Sequence, residues 1–157
     1  MKNTRLLILL GNQLFPLQDI RVANAGAIFM AEDLGLCTYE RHHKLKILMF
    51  LASMREKRDE LLDDDFSVDY VGIEQPEFDI PYEQKLLTCI AKRNVTSLVV
   101  FEIEDKAFEL RLKTFAAQNN MPLEILPSPM FLLTRDEFLE LNQSFKVLRM
   151  GNFYKGV

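Results

Sequence analysis

The sequence predicts a doubly wound α/β domain: a five-stranded, mainly parallel sheet with helices on both faces. Three observations lead there. Five short apolar runs punctuate the chain, two of them (LLILL and SLVVF) are apolar at nearly every position, and segments of helical period fill the gaps. A strand with one wet face alternates polar and apolar residues. A strand that is apolar throughout is covered on both sides, as the crossover helices of a parallel sheet cover it. Strand and helix in alternation is the order that right-handed crossovers wind into one sheet.

The strand runs are Leu6–Leu10, Ala27–Ala31, Val68–Ile73, Ser97–Phe101 and Leu123–Leu126. The longest helical segment is Tyr39–Leu62, where Tyr39, His43, Ile47, Phe50, Met54, Arg58 and Leu61 recur at spacings of three or four. Others cover Tyr82–Arg93, Asp105–Asn119 and Arg135–Gln143. Asp63, Asp64 and Asp65 are expected in the turn that ends the long helix, because a helix C-terminus disfavours anions. Asn119 and Asn120 with Pro122 close another helix, and Thr134 with Glu137 three residues on forms a capping box. Pro127 and Pro129 mark a loop. The domain is expected over residues 1–146. After Phe145 the stretch KVLRMGNFYKGV reads as the opening of a further helix, in which Gly151 costs about 1 kcal/mol against Ala.

Composition excludes several classes. At 157 residues, 48% hydrophobic and 27% charged, the chain suits a globular domain with its own core. A net charge of -4 argues against a domain that grips nucleic acid unaided. Two distant cysteines, Cys37 and Cys89, supply neither a four-thiolate metal site nor a disulfide framework, and both read as buried reduced thiols. No stretch reaches the roughly 18 apolar residues of a membrane helix. The run Leu6–Leu10 is too short for a signal sequence, so the cytoplasm is the expected compartment.

In open α/β sheets ligands bind beyond the carboxyl ends of the strands. The candidates are therefore Gly11-Asn12-Gln13-Leu14 after the first run, Glu32-Asp33 after the second, Gly72-Ile73-Glu74 at the end of the third, Glu102-Ile103-Glu104-Asp105 after the fourth and Pro127-Ser128-Pro129 after the fifth. Gly11 stands alone, without the further glycines or lysine of a phosphate-cradling loop, and serves either a tight turn or a ligand. Asn12 and Gln13 suit the edge of a heterocycle or the cap of a turn. His42-His43 cannot chelate one metal from adjacent helical positions. The row Tyr39, His42 or His43, Lys46, Phe50 groups aromatics, imidazole and cation on one side of the long helix. It reads either as the lining of a pocket for a flat polar ligand or as core residues with a solvated first turn. The acids Glu102, Glu104 and Asp105 read either as general acid/base groups or, since neither nucleophile nor metal accompanies them, as solvated loop groups, the reading preferred here.

Several of these residues also carry a family resemblance. Leu9-Leu10-Gly11-Asn12-Gln13-Leu14, Glu32, the Y-x-x-H-H-K-x-K-I stretch from Tyr39 to Ile47, and Ser53-Met54-Arg55 resemble the prokaryotic photolyase-related proteins of the cryptochrome/photolyase superfamily, in its iron–sulfur bacterial branch. Val68-Asp69-Tyr70-Val71, Glu102 and Leu148-Arg149-Met150 with Phe153-Tyr154 extend the likeness over nearly the whole chain. The resemblance implies a Rossmann-like N-terminal antenna domain. Residues 147–157 would then begin the connection to a helical domain that holds FAD, a 4Fe–4S cluster and the DNA-lesion site. This chain would bind an accessory chromophore, 6,7-dimethyl-8-ribityllumazine or a similar antenna, perform no chemistry alone and touch no nucleic acid directly.

By the same resemblance, Gly11, Asn12, Gln13, Glu32, Leu36, Tyr39, His43 and Phe50 are the chromophore-binding residues. The family usually has Asp at the position of Asn12, Glu at that of Leu36 and a smaller aliphatic residue at that of Phe50. Asn12 keeps an acceptor and loses a charge, Leu36 gives up a polar contact, and the Phe50 ring competes for the chromophore's space. An alternative reading is an interaction or homodimerisation domain with a vestigial pocket, its apolar tail Val147–Tyr154 needing a cover. A nucleotide-binding enzyme would rest on fold analogy alone.

Overall fold

The computed structural model describes residues 4–143 and 150–156. The chain divides into two compact units, residues 1–126 and 127–157. In the first, strands β1 (Thr4–Ile8), β2 (Ala27–Ala31), β3 (Val68–Val71), β4 (Val95–Phe101) and β5 (Leu123–Leu126) form one sheet in the order β3-β2-β1-β4-β5. Every pairing is parallel, with Leu7 beside Ile28 on one side and beside Val99 on the other. The expected fold class is therefore the observed one. Strand β1 ends at Ile8, two residues short of its apolar run, although the Leu9 amide still donates to the Phe29 carbonyl at 2.9 Å.

The apolar strands are explained by what covers them. On one face α1 (Leu17–Val22) and α3 (Lys44–Asp63) pack Ile20, Met54 and Leu61 against Leu7, Leu9, Ile28, Met30, Val99 and Phe101. On the other, α4 (Tyr82–Arg93) and α5 (Lys106–Gln118) pack Tyr82, Leu86, Phe108 and Leu112 against Leu6, Ile8, Phe29, Leu98 and Val100. With both faces dry, strand residues gain no advantage from alternation, and all five residues of β2 are buried.

The returns from helix to strand share one device. Asn24, Asp65, Asn94 and Asn120 all have φ between 46° and 62°, and each lies between a helix end and the next strand. Asn and Asp tolerate this left-handed conformation better than other side chains, because their short polar groups bond locally. Asp64 caps α3 and Asp65 makes the turn, as expected, whereas Asp63, expected there too, is the last residue of the helix.

Three differences from the sequence expectation bear on the site. The long helix begins at Lys44, not Tyr39; a separate short helix, α2 (Leu34–Thr38), precedes it, and residues 39–43 form the connection. Residues 17–22 form a helix and residues 76–79 a 3-10 turn, neither of which shows a helical period. Cys89 is buried, whereas Cys37 is only half-buried.

The second unit contains α6 (Arg135–Gln143) and α7 (Met150–Gly156). The capping box of α6 forms as predicted: Thr134 donates its amide to Glu137 Oε2 at 2.7 Å, and the Glu137 amide donates to Thr134 Oγ1 at 3.3 Å. Within this unit the Phe138 and Phe153 rings lie 6.2 Å apart. The expected tail helix is seen from Met150; its residues 146–149 lie outside the described part.

Candidate functional site

The strand order reverses between β1 and β4: the chain leaves β1 toward β2 and β3, then returns to the far side for β4 and β5. The connections after β1 and β4 diverge there and leave a crevice at the carboxyl edge of the sheet. A cavity of about 310 Å³ occupies it. Its inner wall is apolar: Leu9 and Leu10 after β1, Ile103 after β4, Ile47, Phe50, Leu51 and Met54 from α3, and Tyr82 and Phe108 from the starts of α4 and α5. Its polar groups are Asn12, Glu32, Asp33, Tyr39, His42, Lys46, Glu104 and Asp105.

Gly11 and Asn12 occupy the middle of a turn in which the Gln13 amide donates to the Leu10 carbonyl at 2.9 Å. Met54 presses on that turn, so a Cβ on Gly11 would lie 2.7 Å from its sulfur. Gly11 is thus both a turn glycine and part of the cavity wall, with close packing as the reason for its missing side chain. The Asn12 amide donates to Glu104, linking the two loops that flank the crevice.

Glu32 lines the cavity, but its carboxylate is fully engaged. Arg55 donates to both oxygens at 2.6 and 2.9 Å, the Tyr70 hydroxyl to Oε1 at 2.6 Å, and the Ile73 amide to Oε2 at 2.8 Å. Burial pushes its pKa up, yet the bonds from Arg55, Tyr70 and Ile73 outweigh it and hold the group below the usual carboxylate range. Asp33 pairs at 2.5 Å with Lys85, which is fully buried and also donates to the Phe78 carbonyl at 2.8 Å and the Glu32 carbonyl at 3.3 Å.

Of the expected binding residues, Gly11, Asn12, Glu32, Tyr39 and Phe50 line the cavity. Gln13 does not. It is fully buried, and its amide donates to the carbonyls of Glu102 at 2.9 Å and Phe101 at 3.3 Å, tying the loop after β1 to the end of β4. His43 does not either: it is exposed and caps α3, its Nδ1 accepting from the Leu45 amide at 3.2 Å. His42 takes the cavity position, edge-on to Tyr39 at 5.5 Å and 3.4 Å from Lys46 Nζ. The helical row expected from Tyr39 to Phe50 is therefore assembled by a bend followed by a helix. Leu36 falls on α2, and its side chain lies outside the described part.

Of the acids after β4, Glu104 and Asp105 are exposed, as expected of solvated loop groups, and Glu102 is not. Glu102 is buried, and Asp105 caps α5 by accepting from the amides of Ala107 at 2.9 Å and Phe108 at 3.1 Å. Among the described residues no three His, Cys, Asp or Glu side chains could hold a metal, and no helix is long and apolar enough to cross a membrane.

Sequence reasoning passed over Tyr82. It is 2% exposed and packed edge-on to Phe29 at 5.7 Å and Phe108 at 5.4 Å, yet its hydroxyl has no hydrogen-bond partner among the described residues. Buried polar groups are nearly always bonded, which makes this unbonded hydroxyl on a cavity-lining residue the exception in the site. Burial, then the negative charge of Asp33, raises its pKa, so it keeps its proton. Topology could have found it: crossover helices start at the carboxyl edge of the sheet, which brings their first-turn residues to the crevice.

The family model described as deoxyribodipyrimidine photo-lyase-related protein matches residues 7–157. No curated protein matches the chain.

Proposed function

Because the chain belongs to the deoxyribodipyrimidine photo-lyase-related protein family, we propose that its α/β unit is the light-gathering part of such a protein, holding a flat heterocyclic antenna chromophore in the crevice beyond β1 and β4. One observation carries this reading: a largely apolar cavity at the switch point, lined in part by Tyr82, whose buried hydroxyl has no partner among the described residues. At about 310 Å³ it falls at the small end of ligand pockets. A two-ring heterocycle such as 6,7-dimethyl-8-ribityllumazine suits that size. The Phe50 and Phe108 rings and the Met54 thioether would pack on the ligand's ring system, and Tyr82 would donate to its polar edge. Asn12, Glu104, His42 and Lys46 would meet a hydrophilic tail.

When bound, the chromophore supplies light absorption. The protein's part is to hold it flat and exclude water, with no bond made or broken in this unit. On the same reading FAD, a 4Fe–4S cluster and the repair or light-sensing chemistry belong to a helical partner domain, in a cytoplasmic protein. The test is to produce the chain with riboflavin-pathway metabolites present, record its absorption spectrum, and titrate the purified protein with the lumazine by fluorescence. Saturable one-to-one binding is expected. A colourless protein without saturable lumazine binding would overturn the proposal.

A further inference from the structure

Among the described residues, the outward face of α3 is left exposed. Leu45, Leu48 and Met49 are 61%, 63% and 60% exposed, while Leu51 and Met54 on the inward side pack with the core. Charge along this segment also runs against the helix dipole. Arg41, Lys44 and Lys46 gather at its N-terminal end, while at the other Glu56, Asp59, Glu60 and Asp63 outnumber Arg55, Lys57 and Arg58. The first turn has no acid and the last no base. Each exposed group set against the dipole costs about 0.3–1 kcal/mol. Asp59 pairs with Arg58 at 2.7 Å and Glu60 with Lys57. Arg41, Lys44, Glu56 and Asp63 have no ion-pair partner among the described residues.

Lys44, Leu48, Ala52 and Glu56 are all exposed and follow one another at intervals of four, so they form a single ridge. That ridge is complementary to itself when reversed. Turned end for end about a two-fold axis level with residue 50, Lys44 comes opposite Glu56, and Leu48 opposite Ala52. At 1.5 Å per residue the two charges stand about 9 Å from the axis, one on each side. Ala52 is small enough to let two helices approach closely, and Met49 lies beside the axis.

We propose that two copies of this chain pair through α3, antiparallel about a two-fold axis, with Leu48, Met49 and Ala52 at the centre and two Lys44–Glu56 ion pairs flanking them. Such an interface is isologous, which satisfies both halves of the charge pattern at once. It does not depend on a ligand in the cavity. A contact built on one helix from each copy is small, so the dimer forms reversibly and weakens as salt rises.

Sedimentation velocity of the chain over about 5–500 μM, the range in which a small transient interface fills, tests this directly. Lys44→Glu and Glu56→Lys each create two like-charge pairs and should weaken the dimer about tenfold or more. The double exchange, Lys44→Glu with Glu56→Lys, should restore it, and the two single variants mixed in equal amounts should pair with each other. Circular dichroism checks that the variants fold; all altered positions are exposed. A wild-type chain that stays monomeric across the range would overturn the proposal. So would a dimer unaffected by Lys44→Glu and Leu48→Glu, or a double exchange that fails to restore pairing.

Discussion

Replacing Tyr82 by Phe removes one oxygen from a side chain that is 2% exposed and keeps the ring between Phe29 and Phe108. The hydroxyl has no partner among the described residues, and burying such a group costs about 1–3 kcal/mol of desolvation. Tyr82→Phe should therefore raise the unfolding free energy by about 1–2 kcal/mol and the melting temperature by about 3–6 °C for a chain of this length. Lumazine affinity should move the other way. Losing one neutral hydrogen bond worth about 0.5–1.5 kcal/mol weakens binding roughly 2- to 10-fold. Thermal denaturation by circular dichroism and a fluorescence titration on the same sample give both numbers. A hydroxyl with a purely structural role would lower stability on removal and leave binding alone. A fall in melting temperature, or an unchanged affinity, would refute the argument that this group faces a ligand.

Three further outcomes follow from the site. Lys85→Met removes the cation that Asp33 meets at 2.5 Å in a dry environment and should cost about 3–5 kcal/mol by urea denaturation; a loss below about 1 kcal/mol would show the pair is not buried as described. Gly11→Ala should drive the Met54 thioether toward the cavity, lowering lumazine affinity severalfold with little loss of stability, as read by paired titration and melting experiments. Glu32 is held below its ordinary value of 4.5, because its bonds to Arg55, Tyr70 and Ile73 outweigh burial. A carboxylate with a depressed folded-state pKa stabilises fully above the unfolded value and loses that contribution as pH falls through the folded one. Urea midpoints should therefore drop below about pH 4.5, and Glu32→Gln should cost about 2 kcal/mol at pH 7 while flattening that drop; an unchanged slope would remove Glu32 from the explanation.

The sheet and the helices α4 and α5 were legible in the amino-acid pattern, whereas α1 was not. Apolar runs such as Leu6–Leu10 report that both faces are dry, and helical spacing over Tyr82–Arg93 reports one buried face. Both are local consequences of where water is excluded. Capping at Thr134 and the turn at Asp65 were legible for the same reason, since a cap is satisfied within a few residues of itself.

Which side chains reach the crevice was set by packing between elements distant in the chain. Periodicity carried the long helix back to Tyr39, whereas the helix starts at Lys44, and that shift puts His42 on the cavity wall and leaves His43 as a cap. Gln13 was placed by two carbonyls at the end of β4, far away in sequence. Lys85 was placed by Asp33, and Tyr82 by Phe29 and Phe108. A cavity is the space left where residues from several elements meet, and their meeting is set by long-range packing that no local pattern records.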